Sequence, residues 1–249
     1  MDILILMAGK GSRFKDLHPD KPKPLVPLHG QPMVRWVVEN LRFEKKQRYL
    51  FVCLKEHVEK FKLHELFSSW SINFEIIIAP EVTEGAACSA LLAAQLLGDQ
   101  ELIIANSDQF VLFNKHDFLL KARSLDGCIL SMAAAGPKWS YIKTNELDLV
   151  TEVKEKLEIS KVGTVGIYYF RSGKIFISAA QAMIKADERH NNEFYLAPCY
   201  NLLIKNNERI GHFNVGKVGS EMIGLGTSED FTYFENEPRS MLIKKEIFG

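Results

Sequence analysis

This sequence predicts an α/β fold, a mostly parallel sheet flanked by helices, on two observations. Short continuous apolar runs alternate with segments whose apolar residues recur at helical spacing, and the runs end in glycine-rich or polar turns. Strands buried on both faces read as such runs, and repeated strand, helix, strand units set parallel strands side by side with helices outside.

Residues 3–7 form the first run and lead into Ala8-Gly9-Lys10-Gly11-Ser12-Arg13. Pro32 stands where a first helical turn tolerates proline, and Val34, Val37, Val38 and Leu41 then follow at helical spacing. Residues 49–54 predict a second strand, 56–67 a charged amphipathic helix, and 74–79 an isoleucine-rich third strand. Residues 85–97, rich in alanine and leucine, predict a close-packed helix before a fourth strand over 101–105 that ends at Asn106-Ser107-Asp108. The second half is less regular. Strands are expected over 128–135, 164–170 and 209–215, and helices over 174–185, 194–205 and near 228–234.

With 249 residues, 47% of them apolar, the chain can bury a sizeable core. No linker, low-complexity tract or repeat divides it. One domain is expected, with residues 1–125 as its first half and 126–249 as a smaller β/α portion folded over it. Lysine plus arginine and aspartate plus glutamate both total 31, which removes any bulk electrostatic reason to bind long nucleic acid or anionic membrane. Cys53, Cys88, Cys128 and Cys199 lie far apart without metal spacing and read as buried thiols in a reducing compartment. The first apolar run has no basic segment before it and is too short for a signal or membrane helix, so a cytoplasmic protein is expected.

The turn after the first strand lets backbone amides approach a phosphate without β-carbons in the way. It fits neither the dinucleotide fingerprint, because Phe14 takes the third glycine position, nor the P-loop spacing. Lys21-Pro22-Lys23-Pro24-Leu25-Val26-Pro27 follows, a stiff loop with two lysines. Alone, each element reads equally as a phosphate clamp or as an exposed basic turn punctuated by prolines. The seven histidines have no H-E-x-x-H spacing, and His57 with His64 reads as helix surface.

Together, M-A-G-x-G-S-R-F and K-P-K-P-L-V-P-L-x-G-x-P-M resemble the sugar-1-phosphate nucleotidyltransferase family. The resemblance implies a Rossmann-like, glycosyltransferase-A-like fold that condenses an NTP with a sugar 1-phosphate. It implies that Ala8, Gly9, Gly11 and Ser12 cradle the nucleotide phosphates, that Arg13 holds the leaving pyrophosphate and that Lys23 contacts the reacting phosphates. Glu84-Gly85-Ala86-Ala87 falls at the family's base and ribose segment, and Asp108 at its magnesium-binding aspartate. Glu155-Lys156 resembles the segment that meets the sugar hydroxyls and phosphate, and Gly166 lies in the strand that faces the sugar. By this resemblance Mg²⁺ is the cofactor, and Arg13, Lys23 and Asp108 are the catalytic set.

The chain departs from the family pattern at three positions. Pro80, counted with the nucleotide-binding residues by this resemblance, stands where many relatives carry a base-reading glutamine, so the base preference does not transfer. Leu157 replaces the proline of E-K-P. Gly224 replaces the first aspartate of D-I-G-T-P-E-D, a second metal ligand, in the segment that here ends Gly226-Thr227-Ser228-Glu229-Asp230. Glu221, three residues earlier, is the nearest acidic candidate for that role and reads also as a solvated loop residue. The rival functions are a cytidylyltransferase for a non-sugar phosphate such as phosphocholine, a glycosyltransferase using a nucleotide sugar, and a non-catalytic nucleotide-binding module. The glycosyltransferase reading leaves Arg13 and Lys23 without a role.

Overall fold

Strand β1 (Asp2–Leu6) sends Ile3 and Ile5 to one face and Leu4 to the other, and all three are fully buried. A strand enclosed in this way needs a layer of helices on each side. Both layers are present in the computed structural model, which describes residues 1–9, 11, 14 and 18–249.

After β1 come a 3-10 turn over Lys23–Leu25, the small hairpin β2 (Pro27–Leu28) and β3 (Gln31–Pro32), and helix α1 (Met33–Asn40). There follow β4 (Arg48–Leu54), α2 (Lys55–Lys60), α3 (Leu63–Ser68), β5 (Asn73–Ala79), α4 (Ala86–Leu91), β6 (Leu102–Asn106) and β7 (Gln109–Val111). The second half consists of α5 (Lys115–Ala122), β8 (Gly127–Ala133), β9 (Ser140–Thr144), β10 (Val150–Glu155), β11 (Val162–Phe170) and α6 (Gly173–Lys185). It closes with α7 (Cys199–Lys205), β12 (Ile210–Lys217), β13 (Met222–Gly224), α8 (Ser228–Asn236) and α9 (Pro238–Phe248).

β5, β4, β1 and β6 lie side by side and parallel, so their carboxyl ends share one edge of the sheet. In that register Leu6 stands opposite Asn106, which brings the glycine turn after β1 next to Asn106-Ser107-Asp108 after β6. β11 runs antiparallel to β6 and continues the sheet to β8, which pairs in parallel with β12. The antiparallel hairpin β9–β10 is attached beside β11.

Three apolar clusters fix this arrangement. On one face, Ile3, Ile5, Tyr49 and Phe51 pack with Val34 and Val37 of α1 and Phe67 of α3. On the other, Leu4, Leu50 and Val52 meet the fully buried Ala87 and Ala90 of α4 and Phe176 of α6. The third joins Phe14, Val26 and Trp36 near the lysine loop to Phe110, Leu225, Phe231 and Phe234.

The expected helices at 56–67, 85–97 and 194–205 are each shorter. The first breaks at Lys62, whose φ of 48° is left-handed, so two short helices replace one. The second keeps only α4 as α-helix, and the third only α7, with Pro198 at its N-cap. Among the described residues no helix is long and apolar enough to cross a membrane. Cys53, Cys128 and Cys199 are buried free thiols, and burial pushes Cys53 and Cys128 up to about 12, while Cys88 is half-buried.

Candidate active site

The carboxyl edge of the parallel strands opens into a cleft of about 670 Å³, the place where open α/β sheets bind ligands. Ala8, Gly9 and Gly11 from the glycine turn line it, as do Lys23, Gly85 and Asp108. Ser12 and Arg13 lie outside the described residues.

Gly11 has a φ of 55°, and a β-carbon there would come within 3.1 Å of the Lys23 β-carbon. The turn therefore seats directly against the lysine loop, with glycine meeting both the steric and the conformational demand. Lys23 Nζ donates to Asp108 Oδ2 at 2.5 Å, and both side chains are only about a fifth exposed (20% and 23%). Asp108 sits in the bend between β6 and β7. Its carbonyl accepts from Leu225 N at 2.8 Å, and Asn40 clamps Val111 through both backbone groups, at 2.7 and 2.9 Å, which ties β7 to α1. Asp108 is thus held directly by Lys23 and Leu225, and the strand that follows it by Asn40, all distant in sequence.

The far wall of the cleft is made by the 80–85 loop. Gly85 has a φ of 134°, and a β-carbon there would lie 2.5 Å from the backbone of Phe194. Phe194 N donates to Glu84 O at 2.8 Å and Ala87 N donates to Phe194 O at 3.0 Å, so the 190–195 segment is bridged onto the start of α4. Arg189 reinforces the bridge, pairing with Glu84 at 2.5 Å and lying 4.3 Å over the Phe194 ring. Pro80 is exposed and stays outside the cleft lining, because the chain turns after β5 and presents Val82 and Thr83 there instead.

A second cleft, of about 380 Å³, opens off the first and shares Ala86, Asn106, Asp108, Glu193 and Tyr195 with it. Glu155, Lys156 and Gly166 all line it. Gly166, with φ 79°, lies where β11 slips register against β8, and a β-carbon there would come 2.4 Å from Asn106 Nδ2. Glu155 is 8% exposed at the end of β10, where burial pushes its carboxyl up while the Ser140 hydroxyl, donating to it, pulls the other way. Lys156, with φ 54°, reaches Tyr195 OH at 2.5 Å.

Glu221 does not reach either cleft lining. Its carboxylate is drawn back onto its own loop by Lys217 N at 3.1 Å and Ser220 Oγ at 2.9 Å, and these donors pull its titration down. Sequence reasoning missed Trp139, Tyr195 and Asp230, which do line the second cleft. Asp230 had a signal in the Gly226-Thr227-Ser228-Glu229-Asp230 segment; the two aromatics stand in irregular loops and had none.

A family model described as Nucleotidyl transferase matches residues 3–213. The chain is 28% identical over 172 residues to D-glycero-alpha-D-manno-heptose 1-phosphate guanylyltransferase of Campylobacter jejuni, a match covering 68% of this chain and 75% of that protein. It is 27% identical over 181 residues to the bifunctional protein GlmU of Methanocaldococcus jannaschii, covering 71% of this chain but 41% of the relative, so it spans less than half of that protein. In structure it superposes on a nucleoside-diphosphate-sugar pyrophosphorylase from Vibrio cholerae RC9 with a TM-score of 0.83 at 23% identity, covering 95% of this chain and all (100%) of the other.

Proposed function

Starting from a chain that belongs to the nucleotidyl transferase family, we propose that it condenses an NTP with a sugar 1-phosphate. On this reading residues 1–125 hold the nucleotide and 126–249 the acceptor. The observation that carries it is the Lys23–Asp108 pair, at 2.5 Å, where a glycine-turned cleft meets a second cleft lined by Glu155 and Lys156.

An NTP and a phosphomonoester together bring about five to six negative charges into one place, so reaction is slow until cations neutralise them and align the nucleophile. The acceptor phosphate oxygen attacks the α-phosphorus, the bond to the β-phosphate's bridging oxygen breaks, and pyrophosphate leaves with the electron pair. Lys23 supplies positive charge to the reacting phosphates, and Arg13 to the departing ones. Lys156 orients the attacking phosphate, while the Glu155 carboxylate accepts hydrogen bonds from the hydroxyls of the acceptor. No covalent enzyme intermediate is required.

The residues fit a divalent cation. Asp108 offers a carboxylate to the cleft and already holds a cation, the Lys23 ammonium, and the open face of Gly226, where a β-carbon would come within 3.1 Å of Asp108 Oδ2, leaves room beside it. Magnesium, when bound, withdraws charge from phosphate oxygens and completes its shell with them and with water. With buried thiols and balanced charge, a cytoplasmic place in polysaccharide precursor synthesis accompanies this reading.

A second reading, a cytidylyltransferase for an acceptor with a cationic head such as phosphocholine, is favoured by one feature of the second cleft. Its Trp139 and Tyr195 rings each carry a lysine ammonium, at 4.8 and 4.6 Å, and such faces attract organic cations. Pyrophosphate release, measured for each NTP against sugar phosphates and aminoalcohol phosphates, separates the two. Release with a sugar 1-phosphate that needs Mg²⁺ and vanishes in Asp108→Ala is the expected result. Release only with phosphocholine selects the second reading, and activity persisting in EDTA contradicts the metal role.

A further inference from the structure

The loop from Gly224 to Gly226 runs along Asp108: Gly224 pairs with Gln109 across the β7–β13 ladder, and Leu225 N donates to the Asp108 carbonyl. Gly224 and Gly226 both line the second cleft, so their missing side chains leave a bare strip of backbone on its wall. A carboxylate stands at each end of that strip. A β-carbon on Gly226 would lie 3.1 Å from Asp108 Oδ2, and a β-carbon on Gly224 would lie 3.8 Å from Asp230 Oδ2. Asp230 projects from the first turn of α8, its amide capped by Thr227 Oγ1 at 3.1 Å. Asp108, Glu155 and Glu221 have donors for their carboxylates; that of Asp230 meets none among the described residues.

We propose that Asp230 is the second carboxylate for the divalent cation that Asp108 holds, reaching from α8 into the space that Gly224 leaves open. This rests on the reading of Asp108 given above. Glu221, turned onto its own loop by Lys217 N and Ser220 Oγ, lines neither cleft and so does not face the cation's place. The arrangement also separates the two acids in duty: Asp108 exchanges partners with Lys23, whereas Asp230 stays available to the cation throughout.

Mn²⁺ alone, titrated against the whole chain and followed by the electron paramagnetic resonance of the free ion, tests the proposal without relying on turnover. Asp230→Asn preserves shape and should raise the Mn²⁺ Kd at least about tenfold, the lower end of what even an outer-shell loss costs. Gly224 has an ordinary negative φ and no atom closer than 3.8 Å to its open side, so an aspartate fits there, and Gly224→Asp in the Asp230→Asn background should restore binding. Wild-type affinity in Asp230→Asn, with affinity lost in Asp108→Asn, overturns the role of Asp230 and leaves that of Asp108 standing. Unchanged affinity in both overturns the Asp108 reading as well. Failure of the Gly224→Asp rescue, with melting temperature intact, shows that the loss does not come from a carboxylate on this wall and equally overturns the proposal.

Discussion

Lys23 and Asp108 neutralise each other across the cleft, so on the proposed reading the nucleotide phosphates compete for the ammonium that Asp108 holds. Lys23→Ala should lower turnover by about 100-fold or more, as loss of one charge-stabilising donor does elsewhere. Its melting temperature should hardly move, since the pair lines an open cleft and neither residue belongs to an apolar cluster. A variant that is fully active, or one that is unfolded, contradicts this. Glu155 carries the opposite signature. Burial raises its folded titration point above the unfolded one, so its contribution to stability is full below about pH 4 and is lost as pH rises through the raised value. Glu155→Gln should therefore flatten the fall in unfolding free energy across that window in urea melts, while raising the KM of the acceptor far more than that of the NTP. A slope unchanged from wild type would show that this buried carboxylate carries no such penalty.

At the scale of elements, the chain positions its site by backbone constraints that tolerate only glycine. Gly85 combines a left-handed φ with a backbone neighbour 2.5 Å from any β-carbon. Gly85→Ala should cost about 2 kcal/mol or more, because neither the conformation nor the Phe194 backbone can yield cheaply. The loss should appear in chemical denaturation together with a raised KM for NTP, and a neutral substitution would mean that the 190–195 segment is free to move away. The elements that carry the first cleft were legible in the sequence because β1, β4, β5 and β6 are continuous apolar runs with polar turns, a signal that survives without tertiary context. The glycine turn and lysine loop were legible for a related reason: their chemistry is local. The hairpin β9–β10 was not legible, since β9 buries Ser140, Tyr141 and Ile142 in succession and β10 ends on a buried glutamate, which breaks the two-residue alternation. Helix α9 begins at Pro238 with little segregation of apolar residues and gave no clear period. Trp139, Tyr195 and Asp230 come to one cleft only through long-range folding, which spacing along the chain does not encode.

At the scale of the molecule, the third apolar cluster joins the two ends of the chain. Phe14 meets Phe231 edge-on at 5.7 Å, and Trp36 is ringed by Phe110, Phe234 and Phe248 within 6.0 Å. His29 in the β2–β3 turn reaches Ser240 of α9 at 2.6 Å. The family match stops at residue 213, yet this packing behind the lysine loop depends on residues beyond it. A chain cut after residue 213 should lose NTP-dependent protection from protease and should unfold at markedly lower denaturant, although it keeps Lys23 and Asp108; full retention of both would show that the cluster is dispensable. The same packing bears on how the protein is made. At ~5–20 residues per second, roughly ten to forty seconds separate the synthesis of Phe14 from that of Phe231. Throughout that interval the nascent chain carries Phe14, Val26 and Trp36 without the Phe231 and Phe234 rings that close over them, so the lysine loop is among the first parts of the cleft to be translated and among the last to be backed.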